Sequence, residues 1–327
     1  MVPNDYSFFE HLVSLVHDGE VSEARIDESV RRILQLKFDV GLFDNAYAEE
    51  GTAALFGLPE YRDLALQAAR ESMTLLENDG ILPLKKGARL LIAGPAAHNI
   101  GALHSSWSYT WQGKDERAYP DDTLSLVEAL SLAAGDGNVT SMGSARYDDP
   151  ANVDAVMLGK LAADTDVIVL ALGEHAYAES PGGIDDLSLD PRQQVLARAA
   201  AATGKPVVVI LIEGRPRVLG DSVDEAAAVL QAYRPGSRGA EAIADVLFGH
   251  YNPSGVLPYT YPAATGDIVP YDRRVLTDFQ RMGAGSGISQ GGSKPKWPFG
   301  HGLSYTTFEI DDLQLDKDLM GSGDTLT

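Results

Sequence analysis

Short apolar runs that alternate with helical patterns constrain the fold of this chain more than any other feature. Residues 167–172 consist only of Val, Ile, Leu and Ala, and residues 206–212 are equally apolar after their first proline. Residues 90–95 and 226–233 form two further runs. Helical spacing separates these runs, at residues 124–134, 152–163, 191–202 and 239–248. Because strands that are apolar on both faces are typical of a parallel sheet covered by helices on each side, the sequence predicts an α/β fold.

Both ends of the chain carry patterns that this sheet does not explain. Residues 7–43 predict two helices without a strand, of which the second begins near Ser22 and stops at Gly41. A third helix is predicted over residues 61–76, before a turn into an extended segment. Alternating apolar residues return over residues 306–318 and predict one or two strands of an antiparallel module. The apolar positions there are Phe308, Ile310, Leu313 and Leu315.

Four acidic residues follow the run at residues 167–172, namely Glu174, Glu179, Asp185 and Asp186. In open α/β sheets the carboxyl ends of the strands are where ligands bind. Carboxylates held there can transfer protons or bind sugar hydroxyls, whereas a solvated acidic loop is the alternative in a chain this acidic. Glu179 lies in a flexible stretch that can reach a ligand, while Glu174 is restricted by the strand end. We expect Asp185 and Asp186 to cap or brace the loop before the next helix.

The composition narrows the class of partner. The net charge of −21, from 26 basic and 47 acidic residues, argues against nucleic acids, anionic membranes and polyphosphates, so a neutral substrate fits better. No apolar run approaches the ~18 residues of a membrane-spanning helix. The absence of cysteine excludes thiolate metal sites, and the seven histidines are scattered. Neither a dinucleotide or nucleotide glycine loop nor a Gly-x-Ser-x-Gly turn is present, so we expect no cofactor, no metal and no serine nucleophile.

A second candidate segment is the polar loop that holds Trp107, Tyr109 and Trp111 within five residues. Exposed aromatic rings in a loop stack on the apolar faces of sugars. The alternative is an aromatic lid over the core of the loop, and the sequence alone leaves both interpretations open. His175, beside the first acid of the other loop, either holds an acid or faces solvent.

Segments spread over most of the chain match a recurring set of motifs. Residues 30–43 run Val-Arg-Arg-Ile-Leu-Gln-Leu-Lys-Phe-Asp-Val-Gly-Leu-Phe, and residues 297–305 run Trp-Pro-Phe-Gly-His-Gly-Leu-Ser-Tyr. The other matching segments are residues 1–6, 71–84, 232–249 and 252–258. Together these segments resemble glycoside hydrolase family 3, and in particular its β-glucosidase and exo-β-glucanase branch.

The resemblance implies an arrangement of domains. Members of the family have a TIM-like barrel, then an (α/β)₆ sandwich with a parallel-rich sheet, often followed by a fibronectin type III-like domain. It thus assigns residues 1–44 to the last helices of the barrel and residues 45–70 to a linker with the helix that leads into the sandwich. Residues 71–305 are then the sandwich, and residues 306–327 the start of the fibronectin type III-like domain.

The resemblance also implies roles for individual residues. In this branch a loop of the form Gly-Glu-x-x-Tyr-x-Glu carries the catalytic acid/base, and residues 173–179 match it. Glu179 is therefore the implied acid/base, with Glu174 as the fallback. Trp111 matches the aromatic residue of the +1 subsite, Trp107 helps to shape the same pocket, and His175 is a further candidate for substrate binding.

One part of the implied machinery is absent from this chain. The nucleophile of the family, an Asp of a Ser-Asp-Trp type motif, belongs to the barrel before residue 1. Retention needs two carboxyl groups ~5–5.5 Å apart, and the chain offers one of them. We therefore expect it to act with an N-terminal barrel on a β-glucoside or β-glucan oligosaccharide. A carbohydrate-binding module without chemistry and a β-xylosidase remain alternatives, whereas an N-acetylglucosaminidase is disfavoured because that branch carries its acid/base in the barrel.

The resemblance further implies where the protein works. We expect a periplasmic or secreted location, with the cytoplasm as the alternative. Residues 1–6 have neither the basic start nor the apolar stretch of a signal peptide. Any signal region is therefore expected to lie outside this chain.

Overall fold

The computed structural model describes residues 5–143, 154–266, 295–309, 311–312, 321–323 and 325. The chain divides into two compact units, Met1–Leu58 and Pro59–Thr327.

The first unit contains two helices, α1 (Ser7–His17) and α2 (Glu23–Asp39), and a 3-10 turn at Thr52–Leu55. The Ser22 side chain caps α2 by accepting a hydrogen bond from the Arg25 backbone N–H at 3.3 Å. The helix ends at Asp39, and Gly41, two residues further on, turns the chain away with a φ of +71°. The predicted start and stop of this helix are thus both confirmed.

The apolar faces of α1 and α2 are exposed. None of the residues in either helix is buried. Large apolar side chains that face solvent include Phe8, Phe9, Ile33, Leu36 and Phe38. An amphipathic helix normally buries such a stripe against a core, so these faces have the character of an interface.

The second unit alternates helices and strands. Its helices are α3 (Pro59–Ser72), α4 (Ile100–His104), α5 (Leu126–Ala134), α6 (Ala155–Ala162), α7 (Pro191–Ala201) and α8 (Gly239–Leu247). Its strands are β1 (Thr74–Asn78), β2 (Leu90–Ala93), β3 (Val139–Ser141), β4 (Val167–Gly173), β5 (Val207–Ile212) and β6 (Ala228–Gln231). Short 3-10 turns lie at Glu116–Ala118, Ser180–Gly182 and Gly236–Arg238.

The strands form one sheet in the order β1-β6-β5-β4-β2-β3. Strand β1 is antiparallel to β6, and the other neighbours are parallel. Every residue of β4 and β5 is buried. One face of the sheet packs against α3, α5 and α8, and the other face packs against α6 and α7. The predicted α/β sandwich with a mostly parallel sheet is therefore confirmed.

The prediction was wrong at the start of the second unit. The helix predicted over residues 61–76 ends at Ser72, and Thr74–Asn78 forms the edge strand β1. The register pairs Thr74 with Gln231 and Leu75 with Leu230. These two residues are therefore buried as part of the sheet and not on the apolar face of a helix. The short elements α4 and β3 were not predicted at all.

The predicted C-terminal strands lie mostly outside the described residues. Residues 306–309 and 311–312 are described and form no strand, and Phe308 is exposed. Ile310, Leu313 and Leu315 are not among the described residues. The interpretation of residues 306–327 as the start of a further module stays a prediction. Within the described part of the chain, no helix combines the length and apolar character needed to cross a membrane.

The loops that follow β2 and β4 leave the carboxyl edge of the sheet side by side. From β2 the chain moves outward to β3 and then crosses back to β4, so strand order reverses between β2 and β4. Open α/β sheets bind ligands at such a point. Two glycines allow close backbone approach there, with φ of +110° at Gly94 and +134° at Gly173. A Cβ atom at either position would overlap a carbonyl oxygen of the next strand.

Candidate active site

The first acid after β4 is held at both of its oxygens. Glu174 is only 7% exposed. Its Oε1 accepts hydrogen bonds from the backbone N–H groups of Gly214 at 3.1 Å and Arg215 at 3.2 Å, and its Oε2 accepts one from Arg215 Nε at 3.0 Å. A ligand at the surface could therefore engage this carboxylate only after these bonds broke.

Two more guanidinium groups surround the same carboxylate. Arg217 Nη1 lies 3.9 Å from Oε2, and Arg234 Nη2 lies 3.8 Å from Oε1. Arg234 also donates to the carbonyl oxygens of Ala102 at 2.6 Å and His175 at 2.8 Å. Glu174 and its arginines thus tie the ends of β4, β5 and β6 to helix α4, which follows β2.

Tyr177 is fixed by the same network. Arg215 Cζ lies 4.1 Å from the centroid of the Tyr177 ring, a cation–π contact, and Arg215 Nη1 donates to the Gly182 carbonyl at 2.7 Å. Burial, followed by the charge of Glu174, raises the pKa of Tyr177. Sequence reasoning missed these partners, although Arg215 lies only three residues beyond the end of β5, next to β4 in the sheet.

Glu179 differs from Glu174 in its exposure to solvent and in the partners of its carboxylate. Its side chain is exposed, and no described residue makes a hydrogen bond or ion pair with its carboxylate. Its backbone lies at φ +53° and ψ −143°, a region that residues with a side chain rarely adopt. The Gly182 N–H donates to the Glu179 carbonyl at 2.9 Å and closes the turn. Glu179 is therefore a free carboxylate on a fixed but strained turn.

The two aspartates further along the loop have no contact with these acids. Asp186 Oδ1 accepts a hydrogen bond from the Ser188 N–H at 2.8 Å, so this residue braces the loop as predicted. The cap of α7 is instead Asp190, which accepts from the Arg192 N–H at 2.8 Å. Asp185 is exposed. His175 is half-buried, and its Nδ1 lies 2.7 Å from the Ala176 carbonyl oxygen.

The aromatic rings of the loop after α4 differ in how exposed they are. Trp107 and Trp111 are 68% and 48% exposed, and their ring centroids lie 6.5 Å apart. Tyr109 packs edge-on against Tyr119 at 4.9 Å, and the Tyr119 hydroxyl donates to the Gly113 carbonyl at 2.9 Å. Tyr119 thus fills the interior of the loop, whereas Trp107, Trp111 and Tyr109, which is 49% exposed, present ring surface to solvent.

Gln112 joins the aromatic loop to the acidic loop. Its Nε2 donates to the Ala178 carbonyl at 3.2 Å, and its Oε1 accepts from the Ala178 N–H at 3.0 Å. Gln112 adjoins Trp111, and Ala178 adjoins Glu179. The two loops singled out in the sequence are therefore in direct contact.

A second buried acid lies behind Glu174. Glu213, directly after β5, is 1% exposed, and its Oε1 lies 2.7 Å from the Tyr261 hydroxyl. Its Oε2 and the Arg217 Nε and Nη1 atoms are buried without a hydrogen-bond partner among the described residues. Burial has the largest effect on the pKa of Glu213 and raises it. The hydrogen bond with Tyr261 lowers the pKa by less, so the pKa is about 8. Glu213 therefore carries a proton at neutral pH.

This proton makes stability depend on pH. Because the folded-state pKa lies above the unfolded value, the contribution of Glu213 is fully present at acidic pH and is lost as pH rises through about 8. Glu213→Gln removes the titration. Between pH 5 and pH 8, we expect the free energy of unfolding of the original chain to fall by roughly 3 kcal/mol relative to the variant. Urea unfolding of both proteins at several pH values measures this difference, and a difference that does not vary with pH would contradict the assignment.

The chain matches known proteins over most of its length. The glycosyl hydrolase family 3 C-terminal domain matches residues 73–305. A lysosomal β-glucosidase of Dictyostelium discoideum is 41% identical over 324 residues, which are 96% of this chain and 38% of that protein. A periplasmic β-glucosidase of Salmonella typhimurium is 31% identical over 97% of this chain and 45% of its own length. Names among the relatives include both β-glucosidase and β-xylosidase.

Solved structures give the same result. A β-glucosidase from Listeria innocua in complex with isofagomine superposes with a TM-score of 0.77 at 31% identity, over 94% of this chain and 43% of that one. The α/β sandwich described above, with its acidic and aromatic loops at the switch point, is thus the fold of the family 3 C-terminal domain. The chain belongs to glycosyl hydrolase family 3. It spans less than half the length of these relatives.

Proposed function

We propose that this chain supplies the general acid/base and the aglycone wall of a retaining β-glucosidase or exo-β-glucanase. The observation that carries the proposal is the exposed Glu179 carboxylate, free of described partners and joined through Ala178 and Gln112 to the loop of Trp111. A proton donor has to reach the glycosidic oxygen, and an unengaged carboxylate at a ligand-binding edge is able to do so.

In this mechanism, Glu179 protonates the departing glycosidic oxygen while a carboxylate of the barrel attacks the anomeric carbon. Glu179 then takes a proton from the water that hydrolyses the glycosyl-enzyme. The overall retention requires the two carboxyl groups to lie ~5–5.5 Å apart on either side of the bond. Glu174 is the weaker candidate for this role because its two oxygens already accept three hydrogen bonds.

The two exposed tryptophans fit the subsite beyond the cleaved bond. Indole faces stack on the apolar face of a sugar ring, and the rings of Trp107 and Trp111 lie on the loop that contacts the acid/base segment. We assign Trp111 to the +1 subsite, with Trp107 beside it. His175 contributes to the site through its carbonyl oxygen, which accepts from Arg234.

The proposed partner is the N-terminal barrel of the family. The exposed apolar faces of α1 and α2 support this assignment, since such faces are stable only against another apolar surface. A periplasmic or secreted location belongs to the same proposal, with the cytoplasm as its alternative.

The test compares the chain by itself with a barrel-complemented protein, meaning the chain fused to or mixed with the barrel of a family 3 relative. We expect the chain alone and the barrel alone to leave nitrophenyl β-glucoside intact. The barrel-complemented protein should hydrolyse it and release β-glucose first, as followed by proton NMR.

Two outcomes would contradict the proposal. Turnover by the chain alone at an ordinary enzymatic rate of about 1–10³ s⁻¹ would mean that it holds its own nucleophile. Sugar binding without turnover in a correctly folded barrel-complemented protein would favour a binding module. A nitrophenyl β-xyloside measured in parallel decides between glucosidase and xylosidase.

A further inference from the structure

The turn that carries Glu179 is held in a conformation that it would not keep unaided. A residue with a Cβ atom at φ +53° and ψ −143° is strained, and such strain persists only where neighbouring contacts determine the backbone. On the C-terminal side, the Gly182 N–H donates to the Glu179 carbonyl. On the N-terminal side, the contacts are those of Ala178.

The main chain of Ala178 is fixed by one side chain. Its N–H donates to the Gln112 side-chain oxygen, and its carbonyl accepts from the Gln112 side-chain nitrogen. Ala178 itself is buried, so a lost bond there would leave a polar backbone group without a partner. A single side chain thus determines the direction in which the chain enters Glu179.

Gln112 is itself firmly placed. The next residue, Gly113, has φ +68°, and a Cβ atom there would overlap the Ser105 carbonyl oxygen. The Gly113 carbonyl accepts the Tyr119 hydroxyl. The backbone of Trp107 and Trp111 is joined by a hydrogen bond of 3.1 Å, so the loop is closed on both sides of the amide.

We propose that Gln112 is a positioning residue that sets the direction of the Glu179 carboxyl and couples it to the tryptophan loop. This inference rests on the proposed acid/base role of Glu179. Its consequence is that the loop that would contact the aglycone also aims the proton donor at the oxygen of that aglycone. Gln112 itself touches no reacting atom.

The first test uses the chain itself. Gln112→Met keeps the length of the side chain and removes both hydrogen bonds. We expect amide hydrogen exchange in peptides covering residues 174–182 to become about tenfold faster, because the Ala178 N–H loses its acceptor. Gln67→Met on α3 removes one exposed glutamine bond to Glu71 and serves as the matched control, with no change in those peptides.

The second test uses the barrel-complemented protein and a series of β-glucosides with leaving groups of graded acidity. Poor leaving groups need a well-placed proton donor, whereas dinitrophenolate leaves without one. Gln112→Met should lower kcat/KM about 10- to 100-fold for the poorest leaving groups and leave the dinitrophenyl glucoside nearly unchanged. The dependence of kcat/KM on the acidity of the leaving group therefore becomes steeper.

The outcomes separate this inference from the proposed function. Suppose that Glu179→Gln steepens the dependence of kcat/KM on leaving-group acidity, whereas Gln112→Met lowers kcat/KM equally for all substrates. Gln112 then has only a structural role, and the inference is overturned. If Glu179→Gln has no effect on the slope, the acid/base assignment fails and the positioning role fails with it. A steeper slope in both variants, with faster exchange in Gln112→Met, supports the inference.

Discussion

Glu179→Gln in the barrel-complemented protein is expected to slow the hydrolysis of alkyl β-glucosides by about 10²–10⁴-fold, the usual contribution of a general acid. Gln has nearly the same shape as Glu but has no proton to donate to the leaving oxygen. Binding should change little, because the carboxylate has no described partner whose loss would disturb the fold. Steady-state kinetics with alkyl and dinitrophenyl glucosides, together with the affinity for a non-hydrolysable glucoside, measure these effects.

Chemical rescue provides the sharper form of this experiment. Glu179→Gly leaves space beside the glycosyl-enzyme, so azide should accelerate turnover of the dinitrophenyl glucoside and yield β-glucosyl azide. Asp185→Asn is the matched control, since Asp185 is an exposed acid of the same loop. Unchanged turnover in Glu179→Gln would rule out its role as the acid and would direct attention to Glu174 or to a module that only binds.

Glu174→Gln is expected to act on stability. The carboxylate faces Arg215, Arg217 and Arg234, all of which are mostly buried. Removing one partner of a buried ion cluster leaves uncompensated charge, so we expect the free energy of unfolding to fall by about 3–5 kcal/mol. Urea denaturation of the chain at neutral pH measures this change without any need for the barrel.

The control for this experiment is Glu225→Gln, an exposed glutamate that should change stability by less than about 0.5 kcal/mol. If Glu174→Gln leaves stability intact but removes turnover from the barrel-complemented protein, then Glu174 would be the proton donor. If Glu174→Gln lowers stability while kcat/KM depends on leaving-group acidity as in the original protein, Glu174 has the anchoring role.

The fold could be predicted where a single segment determines its own structure. The wholly apolar sequences of β4 and β5 permit only burial on both faces, and the structure buries every residue of both strands. Ser22 and Gly41 mark the limits of α2 through local hydrogen bonding and a positive φ. In contrast, Thr74–Asn78 fits a helix as well as a strand, and only pairing with the distant β6 decides between them.

The candidate site could be predicted only in part, for the same reason. The acids and the tryptophans are visible in the sequence because they cluster locally. Their division into anchored and free groups is not, because it depends on residues that the fold brings together from far along the chain. Arg215 reaches Glu174 across 41 positions, and Gln112 reaches Ala178 across 66. The order of the strands in the sheet therefore decides which of Glu174 and Glu179 has its carboxylate bound by arginine.

The anchoring of Glu174 also bears on how this loop can change in length. Between Glu174 and Gly182, Arg234, Gln112 and Arg215 bond to the backbone of His175, Ala178 and Gly182, so a residue inserted there would disturb these contacts. Residues 183–186 are exposed and end at the short turn of Asp186. Extra residues there would lengthen only the rim of the site. In the proposed mechanism, such an insertion would therefore change the width of the aglycone site without moving Glu179.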